Sequence, residues 1–75
     1  MNAYLNLSGN SGVKAYQTGP DYIDVQFEDG SIFRYTYSST GREAVEEMKN
    51  LAEAGKGLTG YISRYIRENY AVKLK

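Results

Sequence analysis

From Tyr22 to Phe27 the chain alternates without a break, with Ile23, Val25 and Phe27 on one side and Asp24 and Gln26 on the other. A period of two marks a strand with one buried face, so Asp24 and Gln26 are expected to meet water. Residues 13–17 read as a shorter strand ahead of it, and Thr18-Gly19-Pro20-Asp21 supplies the turn between them. The alternation resumes at Phe33, Tyr35 and Tyr37, and parity fixes the length of the second turn. A two-residue Asp29-Gly30 turn would set Val25 opposite Arg34 and mismatch the apolar faces. A three-residue loop, Glu28-Asp29-Gly30, with Gly30 at positive φ and a bulge, sets Val25 opposite Phe33 and Ile23 opposite Tyr35. The three-residue loop is therefore predicted.

Past Thr40 the period lengthens. Ala44, Val45, Met48, Leu51 and Ala52 recur at helical spacing, while Glu46, Glu47, Lys49, Asn50 and Glu53 fill the wet side. Thr40 and Glu43 are placed to form a capping box, and Gly55 supplies the stop. A second helix is predicted from Leu58 or Thr59 to Asn69, with Ile62, Tyr65 and Ile66 on its buried side and Arg64 and Arg67 leading away. Residues 71–75 alternate again, as a short strand or a frayed tail. The first ten residues, rich in Asn, Ser and Gly, lack periodicity and read as a flexible arm from which Tyr4, Leu5 and Leu7 touch the body. The predicted fold is α+β: a three-stranded antiparallel meander followed by two helices packed on one face, with an optional C-terminal strand. Residues 1–10 form the arm, and residues 11–75 form a single domain.

Composition narrows the chemistry. At 75 residues without a cysteine or a histidine, the chain has neither a disulfide nor a ready structural zinc, so a thin core must hold it. Eight tyrosines suit that task, since each buries a ring while keeping its hydroxyl near water. Catalysis finds little support, because thiolate and imidazole chemistry are both missing and no serine sits in a nucleophile context. No enzyme and no cofactor is expected. Residues 1–8 carry neither a basic nor an apolar leader region, and no apolar run approaches membrane-spanning length, so the expected place is the cytoplasm.

Nine basic and nine acidic residues cancel, yet they are unevenly spread. Over residues 1–30, Lys14 stands alone against Asp21, Asp24, Glu28 and Asp29. Over residues 56–75, Lys56, Arg64, Arg67, Lys73 and Lys75 face only Glu68. A basic end without a basic protein allows local contact with a polyanion but little long-range steering.

The run Ile23-x-Val25-x-Phe27, then Gly30, Phe33-x-Tyr35-x-Tyr37, an amphipathic helix and Gly60-Tyr61-Ile62-Ser63-Arg64-Tyr65-Ile66-Arg67-Glu68-Asn69-Tyr70 together resemble the KTSC domain. The resemblance covers roughly residues 11–70. That module occurs at the C-terminus of some lysyl-tRNA synthetases and also alone. The chain departs from the family at Ser63, where Asn is usual, at Gln17, where Asp often follows the tyrosine, and in a longer loop through Lys56-Gly57-Leu58-Thr59. The resemblance implies a small non-enzymatic module, and its company with a tRNA synthetase suggests RNA as a partner by association.

The residues themselves offer three candidate surfaces, each with a plainer alternative. Tyr35 and Tyr37 have the chemistry of a base-stacking platform, but their parity with Val25 and Ile23 assigns Phe33 and Tyr35 to the core; Tyr37, at the strand end, is open to both readings. Arg34 falls on the open face of the sheet, where a solvated cation is expected. The loop from Gly55 through Lys56, Gly57 and Gly60 holds a Gly-x-x-Gly between helices, as in backbone-clamping KH domains, and glycines before a helix let N–H groups approach a phosphate. It lacks the spacing of a nucleotide-binding P-loop. Its plainer reading is a helix–helix turn capped by Gly55 and Gly57. Arg64 and Arg67 sit three apart for phosphate contact, or as ordinary charges near a helix C-terminus. Glu43, Glu46, Glu47 and Glu53 read as a solvated helix face rather than a metal site.

The nucleic-acid candidates are thus Lys56, Gly57, Gly60, Arg64, Arg67 and Tyr37, with RNA or another polyanion as the partner. The competing reading is a protein-interaction or assembly module anchored by Tyr22, Tyr61 or Tyr70.

Overall fold

A computed structural model describes residues 1–7, 9 and 12–75. The domain boundary expected between residues 10 and 11 lies outside the described residues. The chain forms β1 (Asn2–Ala3), β2 (Val13–Thr18), β3 (Tyr22–Phe27), β4 (Ile32–Thr36), α1 (Tyr37–Thr40), α2 (Arg42–Ala54), α3 (Leu58–Tyr61), a π-helical turn (Ile62–Ile66) and β5 (Val72–Lys73). The strands make one antiparallel sheet in the order β1-β2-β3-β4-β5, with the helices inserted between its last two strands. Among the described residues no helix is long and apolar enough to cross a membrane.

The central hairpin follows the parity argument. Val25 pairs with Phe33 and Ile23 with Tyr35. The loop closes through the Gly30 N–H donating to the Phe27 carbonyl at 2.9 Å and the Phe27 N–H to the Ser31 carbonyl at 2.9 Å, with Gly30 at φ 91°. Only a residue tolerant of the left-handed region sits there without strain.

The core lies between the sheet and the helices. Val13, Ile23, Val25 and Tyr35 project from the strands against Val45, Met48 and Ala52 of α2 and against Leu58, Ile62 and Ile66. Tyr35 is only 2% exposed, and Phe33 and Tyr37 are half-buried at the margin.

Several expectations change. The arm over residues 1–10 is in part structured: Asn2 and Ala3 pair with Tyr16 and Ala15, and Tyr4 is buried in the core. An aromatic ring that fills a gap beside α3 outweighs the weak local propensity of its neighbours. The capping box forms four residues early. Thr36 Oγ1 accepts from the Ser39 N–H and Ser39 Oγ from the Thr36 N–H, opening the one-turn α1, while α2 starts at Arg42 behind Gly41 with no side-chain cap. Thr40 Oγ1 instead donates to the Asn69 carbonyl at 2.6 Å. Asp24 lies on the outer face of the sheet as its parity requires, yet it is 3% exposed. The Arg34 guanidinium covers it with two hydrogen bonds, Nε to Oδ1 at 2.7 Å and Nη2 to Oδ2 at 3.0 Å, and rests 4.0 Å from the Tyr22 ring centre. The carboxylate in turn pushes the Arg34 guanidinium up from its ordinary value.

Candidate functional site

The second helical segment is built differently from a plain helix, and that difference makes a groove. Gly55 closes α2 in the left-handed region at φ 79°, its N–H shared between the Leu51 and Ala52 carbonyls. Gly57, at φ 86°, turns the chain again and opens α3. The start of α3 is fixed from beneath, because the Leu58 side chain is fully buried and its N–H donates to the Tyr4 hydroxyl at 3.3 Å.

After Tyr61 the backbone widens. The Arg67 N–H reaches back five residues to the Ile62 carbonyl at 2.6 Å, and Arg67 sits at φ 51°, ψ −111°. Such wide turns and strained non-glycine residues cluster at functional sites. Ile62 and Ile66 keep the buried side, so the extra width falls on the outside of the turn. Tyr65, expected beside them in the core, is 66% exposed and contacts the Tyr61 ring with centroids 5.2 Å apart.

Between α2 and this segment lies an open groove of about 310 Å³, lined by Glu47 and Leu51 on one side and by Gly57, Gly60, Tyr61, Arg64 and Tyr65 on the other. Apart from its chain neighbours and its own helix backbone, no described atom comes within 4 Å of where a Cβ on Gly60 would stand, so the groove wall at this one point is bare backbone. Glu47 and Arg64 form no ion pair with each other or with any other described residue. Partial burial pushes the Tyr61 phenol up, and the Glu47 carboxylate adds to that shift. Two aromatic rings tilted 47° to one another, a guanidinium and a carboxylate thus line one small space. They suit recognition of a planar, hydrogen-bonding ligand. Among the described residues, no three His, Cys, Asp or Glu side chains converge as metal ligands.

Of the six residues singled out from sequence, Gly57, Gly60 and Arg64 come together in this groove. Lys56 is exposed between Gly55 and Gly57 at its end, and Arg67 is exposed beyond the π turn. Tyr37 belongs elsewhere. Its hydroxyl donates to Glu46 Oε2 at 2.5 Å, and Lys49 pairs with the same oxygen at 2.9 Å while donating to the Gly19 carbonyl at 2.8 Å. On a helix, Glu46 and Lys49 lie on the flank opposite Glu47 and Leu51, so α2 itself stands between Tyr37 and the groove. Hydrogen bonding to Glu46 pushes the Tyr37 phenol up and holds the Glu46 carboxyl down.

Tyr65 and Glu47 were not legible as site residues, the first because a regular helix would have turned it inward. The spacing of Tyr61 and Tyr65 and of Glu47 and Leu51, four residues each, is the signal that pairs them across two helices. Tyr22 is half-buried and Tyr70 exposed, and both rings touch other residues of the chain. Gly19 and Arg34 lie against the Tyr22 ring, and Tyr70 packs on Phe33 at 4.6 Å. A second concavity, lined by Asp29, Gly30, Ser31, Lys73 and Lys75, mixes its charges, and Asp29 there is already held by the Ser31 N–H and hydroxyl.

No family model, curated protein or solved structure matches the chain.

Proposed function

We propose that the chain is a small non-enzymatic module that binds single-stranded RNA weakly through the groove between α2 and the segment from Gly57 to Tyr65. The observation that carries this reading is the Tyr61–Tyr65 ring pair, half-buried at Tyr61 and exposed at Tyr65, beside an Arg64 that has no carboxylate partner among the described residues. Bases stack on exposed aromatic faces whatever their sequence, at roughly 1–3 kcal/mol per base, and a neighbouring guanidinium takes the phosphate. Lys56 and Arg67, at the two ends of the segment, extend the positive edge. The resemblance to the KTSC domain points the same way. Weak binding follows from the few cations and the zero net charge, which leave little counterion release to drive association.

The test is a titration of labelled single-stranded RNA and tRNA at two salt concentrations, followed by amide chemical shifts. Saturable, salt-sensitive shifts over residues 56–67, lost in an Arg64→Glu variant, are expected. Flat titrations in both salts would overturn the reading.

One observation favours a protein partner instead. Leu5 and Leu7 are each 66% exposed beside the same loop, with Leu5 against Gly55 and the Leu7 N–H donating to the Gly55 carbonyl at 2.7 Å. Exposed aliphatic side chains held against a structured loop are a feature of protein-binding surfaces. Concentration-dependent self-association, or a partner whose capture is lost in a Leu5→Ser/Leu7→Ser variant, would identify that role.

A further inference from the structure

We infer that Glu47 gives this groove a preference for guanine at one nucleotide position; the inference rests on the RNA reading and adds to it the identity of the base. The starting point is charge. A carboxylate in a groove that is meant to hold a polyanion is unfavourable if the phosphates lie beside it, and Glu43 on the preceding turn of α2 adds to the repulsion. The opposite wall, with Arg64, has the reverse character. A nucleotide therefore enters with its phosphate toward Arg64 and its base toward Glu47.

The groove, at about 310 Å³, is near the small end of ligand sites and has room for one splayed base rather than a folded structure. The exposed Tyr65 ring supplies the face on which that base lies, with the Tyr61 ring tilted 47° beside it, and the absence of a side chain at Gly60 lets the base approach closely. What remains for Glu47 is the base edge.

A carboxylate only accepts hydrogen bonds, and it presents two oxygens side by side. Guanine alone offers two adjacent donors on its Watson–Crick edge, N1–H and the N2 amino group, and so satisfies both oxygens. Adenine and cytosine place a ring-nitrogen acceptor next to their single amino donor, and uracil flanks its one N–H with two carbonyls. Each of these sets an acceptor against a carboxylate oxygen. A bidentate pair of this kind discriminates by roughly 1–3 kcal/mol, so about tenfold or more in affinity is expected. In single-stranded RNA the Watson–Crick edge is free to be read in this way.

The experiment is fluorescence anisotropy with the full chain and labelled oligouridylates of about eight nucleotides, a length within the usual range of single-strand sites, each carrying one central G, A, C or U. The G-containing oligomer should bind about tenfold tighter than the others. Glu47→Gln replaces one acceptor by a donor, which mismatches guanine and suits the donor–acceptor edge of adenine and cytosine, so the preference for G should be lost. Glu43→Gln makes the same change in net charge one turn away and should keep the preference. Both positions are exposed on α2, so folding is checked by an unchanged thermal midpoint.

The failures are distinct. Equal binding of all four oligomers by the unaltered chain overturns the guanine preference and leaves the RNA reading standing. Loss of the preference in both Gln variants alike overturns it too, as a charge effect. Absence of binding to every oligomer overturns the RNA reading and this inference with it.

Discussion

The hydroxyl of Tyr4 accepts a hydrogen bond from the backbone N–H of Leu58, 54 positions further along the chain. The first turn of a helix leaves its N–H groups without intrahelical partners, and a buried one is costly to leave unpaired. A side chain from an Asn- and Gly-rich arm thus completes the start of α3 and fixes the wall of the groove. Tyr4→Phe keeps the ring and removes the acceptor, so it should cost about 1 kcal/mol in urea unfolding. Tyr4→Ala removes the ring as well and should cost about 3 kcal/mol or more. Amide shifts in the phenylalanine variant should concentrate at residues 57–61.

Asp24 and Arg34 behave as a unit. Breaking the pair from the arginine side leaves a buried carboxylate without compensation, a change that typically costs about 3–5 kcal/mol when both partners are fully buried. The Arg34 side chain is 34% exposed, so solvent reaches the site and Arg34→Met should cost less, about 2 kcal/mol. The combined Asp24→Leu/Arg34→Met variant should recover most of that loss. A double-mutant cycle read by chemical denaturation measures the coupling, and additive single effects would refute the pairing.

Tyr35 sets the alkaline limit. Burial, with a smaller contribution from Tyr70, pushes its phenol up to about 12 from an ordinary value of 10.0. Its folded value is raised, so its contribution is whole below about pH 10 and is lost as pH rises toward about 12. At the acid end the Tyr37 hydrogen bond, with help from Lys49, holds Glu46 below its ordinary 4.5. That contribution is present above the ordinary value and is lost as pH falls through the folded one. Urea midpoints measured across pH should fall at both ends, and Tyr37→Phe should flatten the acid limb.

The hairpin is the part of the fold most open to reading from sequence, since period-two parity and one glycine leave a single consistent register. Gly30 carries that reading. No neighbour lies within 4 Å of a Cβ built there, so Gly30→Ala should cost about 1 kcal/mol from the left-handed backbone alone. A thermal midpoint unchanged by the substitution would contradict the loop geometry.

Elsewhere local pattern gives way to tertiary contact. Parity places Asp24 on the outer face correctly, but an outward residue is exposed only if nothing covers it, and the same register that sets Val25 against Phe33 sets Arg34 over Asp24. Tyr65 escapes a rule that assumes 3.6 residues per turn, because the wide turn closed by Arg67 and Ile62 shifts it outward. Thr40 looks like a cap in isolation, yet the Asn69 carbonyl, 29 residues away, claims its hydroxyl. The candidate site was half legible for the same reason. Glycines and cations stand out in a sequence, whereas the wall that Glu47 and Leu51 contribute exists only once two helices pack.

Gly60 separates what stabilises the domain from what the groove does. It lies in helical backbone without positive φ, and a methyl group there meets no described atom within 4 Å beyond its chain neighbours and its own helix backbone. Glycine is about 1 kcal/mol less favourable than alanine inside a helix, so Gly60→Ala should raise stability by up to about that amount. The same methyl projects from the groove wall where a base would approach, between Gly57 and Tyr61. A thermal midpoint that rises while affinity for single-stranded RNA falls at least severalfold is therefore the expected pair of results. A stabilised variant that binds RNA as well as the unaltered chain would move the contact surface away from this groove.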